Sequence, residues 1–218
     1  MEQGPHSTLE ARAEFLLGLR ARGIGDLAVL RALETVPREN FVPHRYADLA
    51  NRDMALPIAC GQTMPEPFLV ARMMEALALS PGLRVLEIGA GSGYATAILA
   101  RLAGQVVALE RFQALAITAM ARLEKLGIRN AGIVWGDGLA ISPASGLFDR
   151  IVIHALVEHV PHNLLQVLAR GGMVLAAFSG GPGQVLRRLV RNERGGFDEI
   201  VVCPSRLRPL ISGVSREL

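Results

Sequence analysis

Cysteine is nearly absent from this chain of 218 residues, with Cys60 and Cys203 as the only two and no C-x-x-C pair. That excludes a disulfide-built secreted scaffold and a cysteine-rich zinc module; both thiols are read as reduced and without a role. Aromatic residues make up only 5% of the chain, poor material for stacking bases. No uncharged apolar run reaches the ~20 residues that a membrane-spanning helix needs. The first residues, including Glu2, His6, Glu10 and Arg12, lack the basic-then-apolar layout of a secretory leader. A cytoplasmic protein with no membrane partner is expected. Lysine is scarcer still: Lys125 is the single lysine among 23 basic residues, a compositional bias to which no function attaches.

The net charge of +3 suggests a nucleic-acid partner only until the charges are placed. The excess comes from the last 36 residues, where seven arginines meet four acids. Arg187, Arg188 and Arg191 sit there in a strand-like run without interleaved aromatics, as on a solvated basic edge. No nucleic-acid partner is expected.

What the chain does have is apolar material, 50% of its residues, enough to close a core and incompatible with disorder. The pattern changes near Pro81-Gly82. Before it, helical spacing runs from Leu9 to Arg22; Asp26 caps a second helix through Val36; and Pro43, Pro57, Pro65 and Pro67 keep the next stretch non-helical until Phe68–Leu79. After it, short β-branched runs alternate with helical ones, the mark of a parallel sheet with crossover helices. The strands fall at Arg84–Ile88, Val106–Glu110, Gly132–Trp135, Asp149–Ile153 and Met173–Phe178. Val185–Val190 and Glu199–Cys203 form an antiparallel closure around Gly195-Gly196. The expectation is an α/β fold, a doubly wound Rossmann-like sandwich with a mostly parallel seven-stranded sheet. Residues 1–80 form an N-terminal helical cap with a covering loop and residues 81–218 the binding core, in one integrated domain.

The strongest local signal is Val85-Leu86-Glu87-Ile88-Gly89-Ala90-Gly91-Ser92-Gly93-Tyr94, an apolar strand that runs into glycines and then a helix. Small residues let the backbone turn sharply and approach a ligand, and the first N–H groups of the following helix face the same place. A dinucleotide fingerprint wants G-x-G-x-x-G, but the last position is Tyr94, and Glu87 just before the loop repels a pyrophosphate. A ligand with a cationic amino-acid portion fits better. The next strand ends in Glu110, placed to accept both hydroxyls of a ribose. The third is followed by Gly136-Asp137-Gly138, a turn that aims a carboxylate at an adenine amino group. Glu87, Gly89, Gly91, Gly93, Glu110, Asp137 and Gly138 are thus the candidate cofactor residues, although Glu110 alone reads equally as a helix-start acid and Gly136-Asp137-Gly138 as a plain turn.

These elements resemble the S-adenosylmethionine-dependent methyltransferases. The runs Val36-Pro37-Arg38-Glu39-Asn40-Phe41-Val42-Pro43, Ala55-Leu56-Pro57-Ile58, Gly61-Gln62-Thr63, Phe148-Asp149, Val160-Pro161, Gly171-Gly172 and Pro209-Leu210 narrow the resemblance to the protein-L-isoaspartate O-methyltransferase family over about residues 24–213. The resemblance implies methyl transfer from S-adenosyl-L-methionine, leaving S-adenosyl-L-homocysteine, to the α-carboxylate of L-isoaspartyl residues or the side chain of D-aspartyl residues in damaged proteins. The substrate partner is then an isoaspartyl protein or peptide, and the enzyme a monomer.

Three departures from the family pattern lie on the substrate side. In the loop where the family reads G-x-T-x-S-x-P, this chain has Gly61-Gln62-Thr63-Met64-Pro65-Glu66-Pro67. Pro65 occupies the serine position, removing a hydroxyl and a backbone N–H, and Thr63 is the hydroxyl that remains. The family's T-A-A-P becomes His154-Ala155-Leu156-Val157, and the Gly-Trp after the Gly-Asp-Gly turn becomes Ile141-Ser142. Thr63 and His154 are the catalytic candidates. His154, Glu158, His159 and His162 lack metal-ligand spacing, since Pro161 interrupts the run, and no metal is expected. Two alternatives share every cofactor residue: a methyltransferase acting on another carboxylate or other acceptor, and a non-catalytic S-adenosylmethionine-binding protein.

Overall fold

The computed structural model describes residues 5–181 and 183–216, with side chains from Arg12 onward. Helix α1 (Pro5–Ala21) covers the segment predicted from Leu9 to Arg22, the side chains of its first seven residues lying outside the described part. Helix α2 (Leu27–Thr35) is capped by Asp26, whose carboxylate accepts from the N–H of Ala28 at 2.8 Å and of Val29 at 3.2 Å. The proline-rich stretch is not uniformly non-helical: single 3₁₀ turns occupy Arg38–Phe41 and His44–Leu49. Pro37 and Pro43 immediately precede them; a proline that ends one helix has its φ already set for entering a turn. The short strands β1 (Leu56–Pro57) and β2 (Thr63–Met64) pair antiparallel. Helix α3 (Pro67–Ala76) ends earlier than the predicted Leu79, because Ala78 turns to φ 45° ahead of Ser80-Pro81.

The core then alternates β3 (Arg84–Ile88), α4 (Tyr94–Leu102), β4 (Gln105–Glu110), α5 (Gln113–Lys125), β5 (Ala131–Trp135), β6 (Phe148–Val157), α6 (His162–Gln166), β7 (Leu168–Gly180), β8 (Gly183–Arg191) and β9 (Phe197–Ser205). Among the described residues the main sheet has seven strands in the order β5-β4-β3-β6-β7-β8-β9. Strands β3 to β7 run parallel to one another, and β8 and β9 close the sheet antiparallel. Strand β6 outruns its predicted end at Ile153 because, after a register shift, Leu156 and Val157 pair with Ala177 and Phe178 of β7, and Leu156 also bridges to Pro209.

Alternation divides the apolar side chains between the two faces of the sheet. Val85, Val106, Val152 and Leu175 point to one face, where α2 to α5 complete the larger cluster; Leu86, Ile151 and Val174 point to the other. That second face receives α6, only five residues long, and loops. The chain moves outward from β3 through β4 to β5, then returns to β6 on the far side of β3. The carboxyl ends of β3 and β6 therefore border the switch point, where such sheets bind ligands.

Candidate functional site

A cavity of about 290 Å³ opens at that switch point. Its lining includes Gly89, Gly91, Glu110, Asp137 and Gly138 on one side, and Thr63, Pro65, Glu66 and His154 with the segment from Arg206 to Ile211 on the other. Five of the seven residues predicted to hold a cofactor thus face one chamber with Thr63, Pro65 and His154, whereas Glu87 and Gly93 are not on its wall.

Glu110 is 4% exposed at the end of β4. Its two oxygens accept from Gly91 N at 2.7 Å and from Phe112 N at 2.9 Å, so this carboxylate shapes the glycine loop. Burial raises its pKa, and the backbone hydrogen bonds offset part of that rise. Asp137 accepts from Leu139 N at 2.8 Å and from Gly213 N at 2.7 Å. It caps a 3₁₀ turn and ties down the C-terminal segment while lining the cavity. The three loop glycines differ in role. Gly91, at φ +56°, lines the chamber, whereas Gly93, at φ +87°, begins α4 and faces α5, where an added Cβ would stand 3.0 Å from that of Ala119.

Glu87 is not on the cavity wall. It is fully buried, and its Oε1 lies 2.8 Å from His154 Nε2. Glu87 is the register partner of Val152 on β6. His154, two residues on, lies on the same face of the sheet, so the pair meets on a side otherwise filled by apolar residues. The second oxygen, Oε2, is buried without a hydrogen-bond partner among the described residues. His154, with its side chain 8% exposed, screens this acid from the chamber. His159, His162 and Glu158 are exposed, and no group of three potential metal ligands gathers among the described residues.

A residue quoted above only as part of a motif proves central to the covering loop. Arg38, 2% exposed, donates to the carbonyls of Ala50 at 2.5 Å, Met54 at 3.2 Å and Pro65 at 2.9 Å. One guanidinium therefore fixes the loop that carries Thr63, Pro65 and Glu66. Burial lowers its pKa, and the ring of Tyr94 lies beneath it at 5.8 Å. Arg38→Met keeps the stem and removes every donor. It is expected to lower stability by about 1–3 kcal/mol, since carbonyls in a buried setting lose partners, and to loosen the loop. Thermal melts should show the loss and Arg38→Lys should restore part of it; unchanged melting would make these hydrogen bonds dispensable.

Residues 10–214 match the profile of the protein-L-isoaspartate(D-aspartate) O-methyltransferase family. A protein-L-isoaspartate O-methyltransferase of Rhodopseudomonas palustris (strain BisA53) is 49% identical over 206 residues, 94% of this chain and 95% of its own. That of Caulobacter sp. (strain K31) is 43% identical over 218 residues, the whole of both chains. A Plasmodium falciparum structure assigned to this enzyme class, in complex with S-adenosyl-L-homocysteine, is 24% identical; it covers 91% of this chain and 97% of its own with a TM-score of 0.79, a likeness of fold.

Proposed function

The chain belongs to the protein-L-isoaspartate(D-aspartate) O-methyltransferase family, and from that premise we propose that it methylates the free carboxylate of L-isoaspartyl and D-aspartyl residues in damaged proteins with S-adenosyl-L-methionine as donor. The observation that carries this reading is the single chamber shared by Glu110 and Gly91 with Thr63, Pro65 and His154. In it, residues 81–218 hold the donor, residues 1–80 supply the cover, and the enzyme works as a cytoplasmic monomer.

The residues present suit the donor. Gly89 and Gly91, both with positive φ, and a strand-end carboxylate fit a ribose and its tail, and Asp137 and Gly138 stand where an adenine edge would rest. Glu87 acts from behind His154, holding the imidazole in place. A bound S-adenosylmethionine would supply an electrophilic methyl group on a sulfonium; an acceptor carboxylate oxygen would bond to that carbon in line as the C–S bond breaks and its electron pair stays on the departing sulfur. The acceptor is already ionised near neutral pH, so the protein has no proton to remove. Its task is to align the two groups and keep water out. Thr63 is the remaining hydroxyl of the loop, and β-alternation turns Met64 into the core and Thr63 outward.

Pro65 tests this division of labour. If a serine hydroxyl here holds the acceptor carboxylate, the native enzyme is slow, and Pro65→Ser should raise kcat/KM on isoaspartyl peptides up to about tenfold, from one hydrogen bond to a charged group. Thr63→Ala should cost activity in the native background and less beside Pro65→Ser. A fully active native enzyme with a neutral or harmful Pro65→Ser would mean that backbone groups hold the substrate. Cofactor binding without transfer to isoaspartyl peptides in either form would favour another acceptor.

A further inference from the structure

The strap that closes the chamber after β9 is pinned at successive residues. Leu207 donates its N–H to Gln184 Oε1 at 2.8 Å and accepts at its carbonyl from Gln184 Nε2 at 3.1 Å. Arg208 O accepts from Leu156 N at 2.8 Å, and Leu210 N donates to Leu156 O at 2.9 Å. Leu207 is buried in the larger core cluster while Arg206 and Arg208 on either side are exposed. Both exposed arginines line the chamber, as does Leu207 between them. Neither guanidinium has a hydrogen-bond or ion-pair partner among the described residues, unlike Arg187, which pairs with Glu199 at 3.3 Å.

The remaining charges facing this rim do not neutralise it. Glu110 and Asp137 are engaged by backbone N–H groups and Glu87 by His154. Arg111 adds a further cation, donating to Gly213 O at 3.0 Å. Among the described residues lining the chamber, Glu66, on the covering loop, is the acid left to oppose three arginines. Guanidinium groups are matched in geometry to carboxylates and are weakly hydrated, so a rigid strap presenting two of them selects carboxylates. The reacting carboxylate must lie within the chamber beside the donor site. Exposed side chains at its edge meet the residues that flank it.

We propose that Arg206 and Arg208 form an anion reader that selects isoaspartyl sites flanked by an acidic side chain. This rests on the methyltransferase reading above and specifies its substrate class. The test uses three isoaspartyl peptides that differ only in a flanking Glu, Gln or Lys, methylated by the native enzyme and by the double variant Arg206→Gln/Arg208→Gln. The native enzyme should prefer them in that order, with about tenfold in kcat/KM between the extremes, carried by KM and narrowing at high salt because exposed charges are screened. In the double variant the three should fall within about twofold of one another. Equal use of all three by the native enzyme, or an order that survives in the double variant, overturns the proposal. So does weakened S-adenosylhomocysteine binding in the double variant, which would assign the arginines to the cofactor. Failure of the native enzyme on all three is a separate result: it removes the methyltransferase reading and the inference with it.

Discussion

Gly91→Val is expected to reduce binding of S-adenosylhomocysteine at least about a hundredfold, some 2.7 kcal/mol, in a protein that still folds. Gly91 sits at φ +56°, a conformation that costs L-residues about 1–2 kcal/mol and is worst for a β-branched side chain. The protein itself leaves room, since an added Cβ would meet Ile58 Cδ1 at an ordinary 3.5 Å. The penalty thus falls on the loop's conformation and on the chamber that Gly91 lines. If the loop relaxes to escape the strain, Gly91 N leaves Glu110, and the cradle is lost as well. Circular dichroism melts beside a binding titration separate the two effects. A collapse of folding in step with binding would make this glycine structural.

Glu110→Ala should weaken binding of the same ligand by about 1.5–3 kcal/mol, a factor of roughly 10 to 150. The carboxylate is proposed to accept from the ribose while it also orders Gly91 and Phe112. Its pKa is raised by burial, which gives binding a pH dependence of definite sign. The ionised form accepts from every donor around it, so affinity should fall as pH drops through the elevated titration of Glu110. The slope should flatten in Glu110→Gln, which does not titrate. Calorimetry from about pH 8 to about pH 5 checks both. An alanine variant that binds as the native protein does would remove Glu110 from the site.

The core of this fold was legible because its signals are local. The runs 84–88 and 131–135 are dense in β-branched and apolar residues, Asp26 has cap chemistry, and the antiparallel closure turns at Gly195-Gly196. The misplaced ends have non-local causes: Leu156 stays in β6 because Ala177 of β7 pairs with it and Pro209 bridges to it. The same limit applies to the chamber. Glu110 and Gly91 were visible in motif spacing, and the structure adds that they hydrogen-bond to each other. Glu87 read as a ligand-facing acid because spacing places it next to the glycine loop. Its side chain instead points to the face that His154 shares, a matter of register between β3 and β6 that no local pattern encodes. Arg38 went unassigned for a related reason. Its carbonyl partners lie 12, 16 and 27 residues away, and nothing in a single sequence announces a buried guanidinium. Arg206 and Arg208 belong to the arginine-rich last 36 residues, and their place at the chamber depends on Gln184 and Leu156, which pin the strap from other strands.

The most direct test of the account is transfer of a radiolabelled methyl group from S-adenosylmethionine to two peptides of identical sequence, one with L-isoaspartate and one with normal L-aspartate at a single position. The account predicts a base-labile methyl ester on the isoaspartyl peptide and none above background on its aspartyl twin. Equal labelling of both peptides, or labelling of neither by a protein that binds S-adenosylhomocysteine, would contradict it.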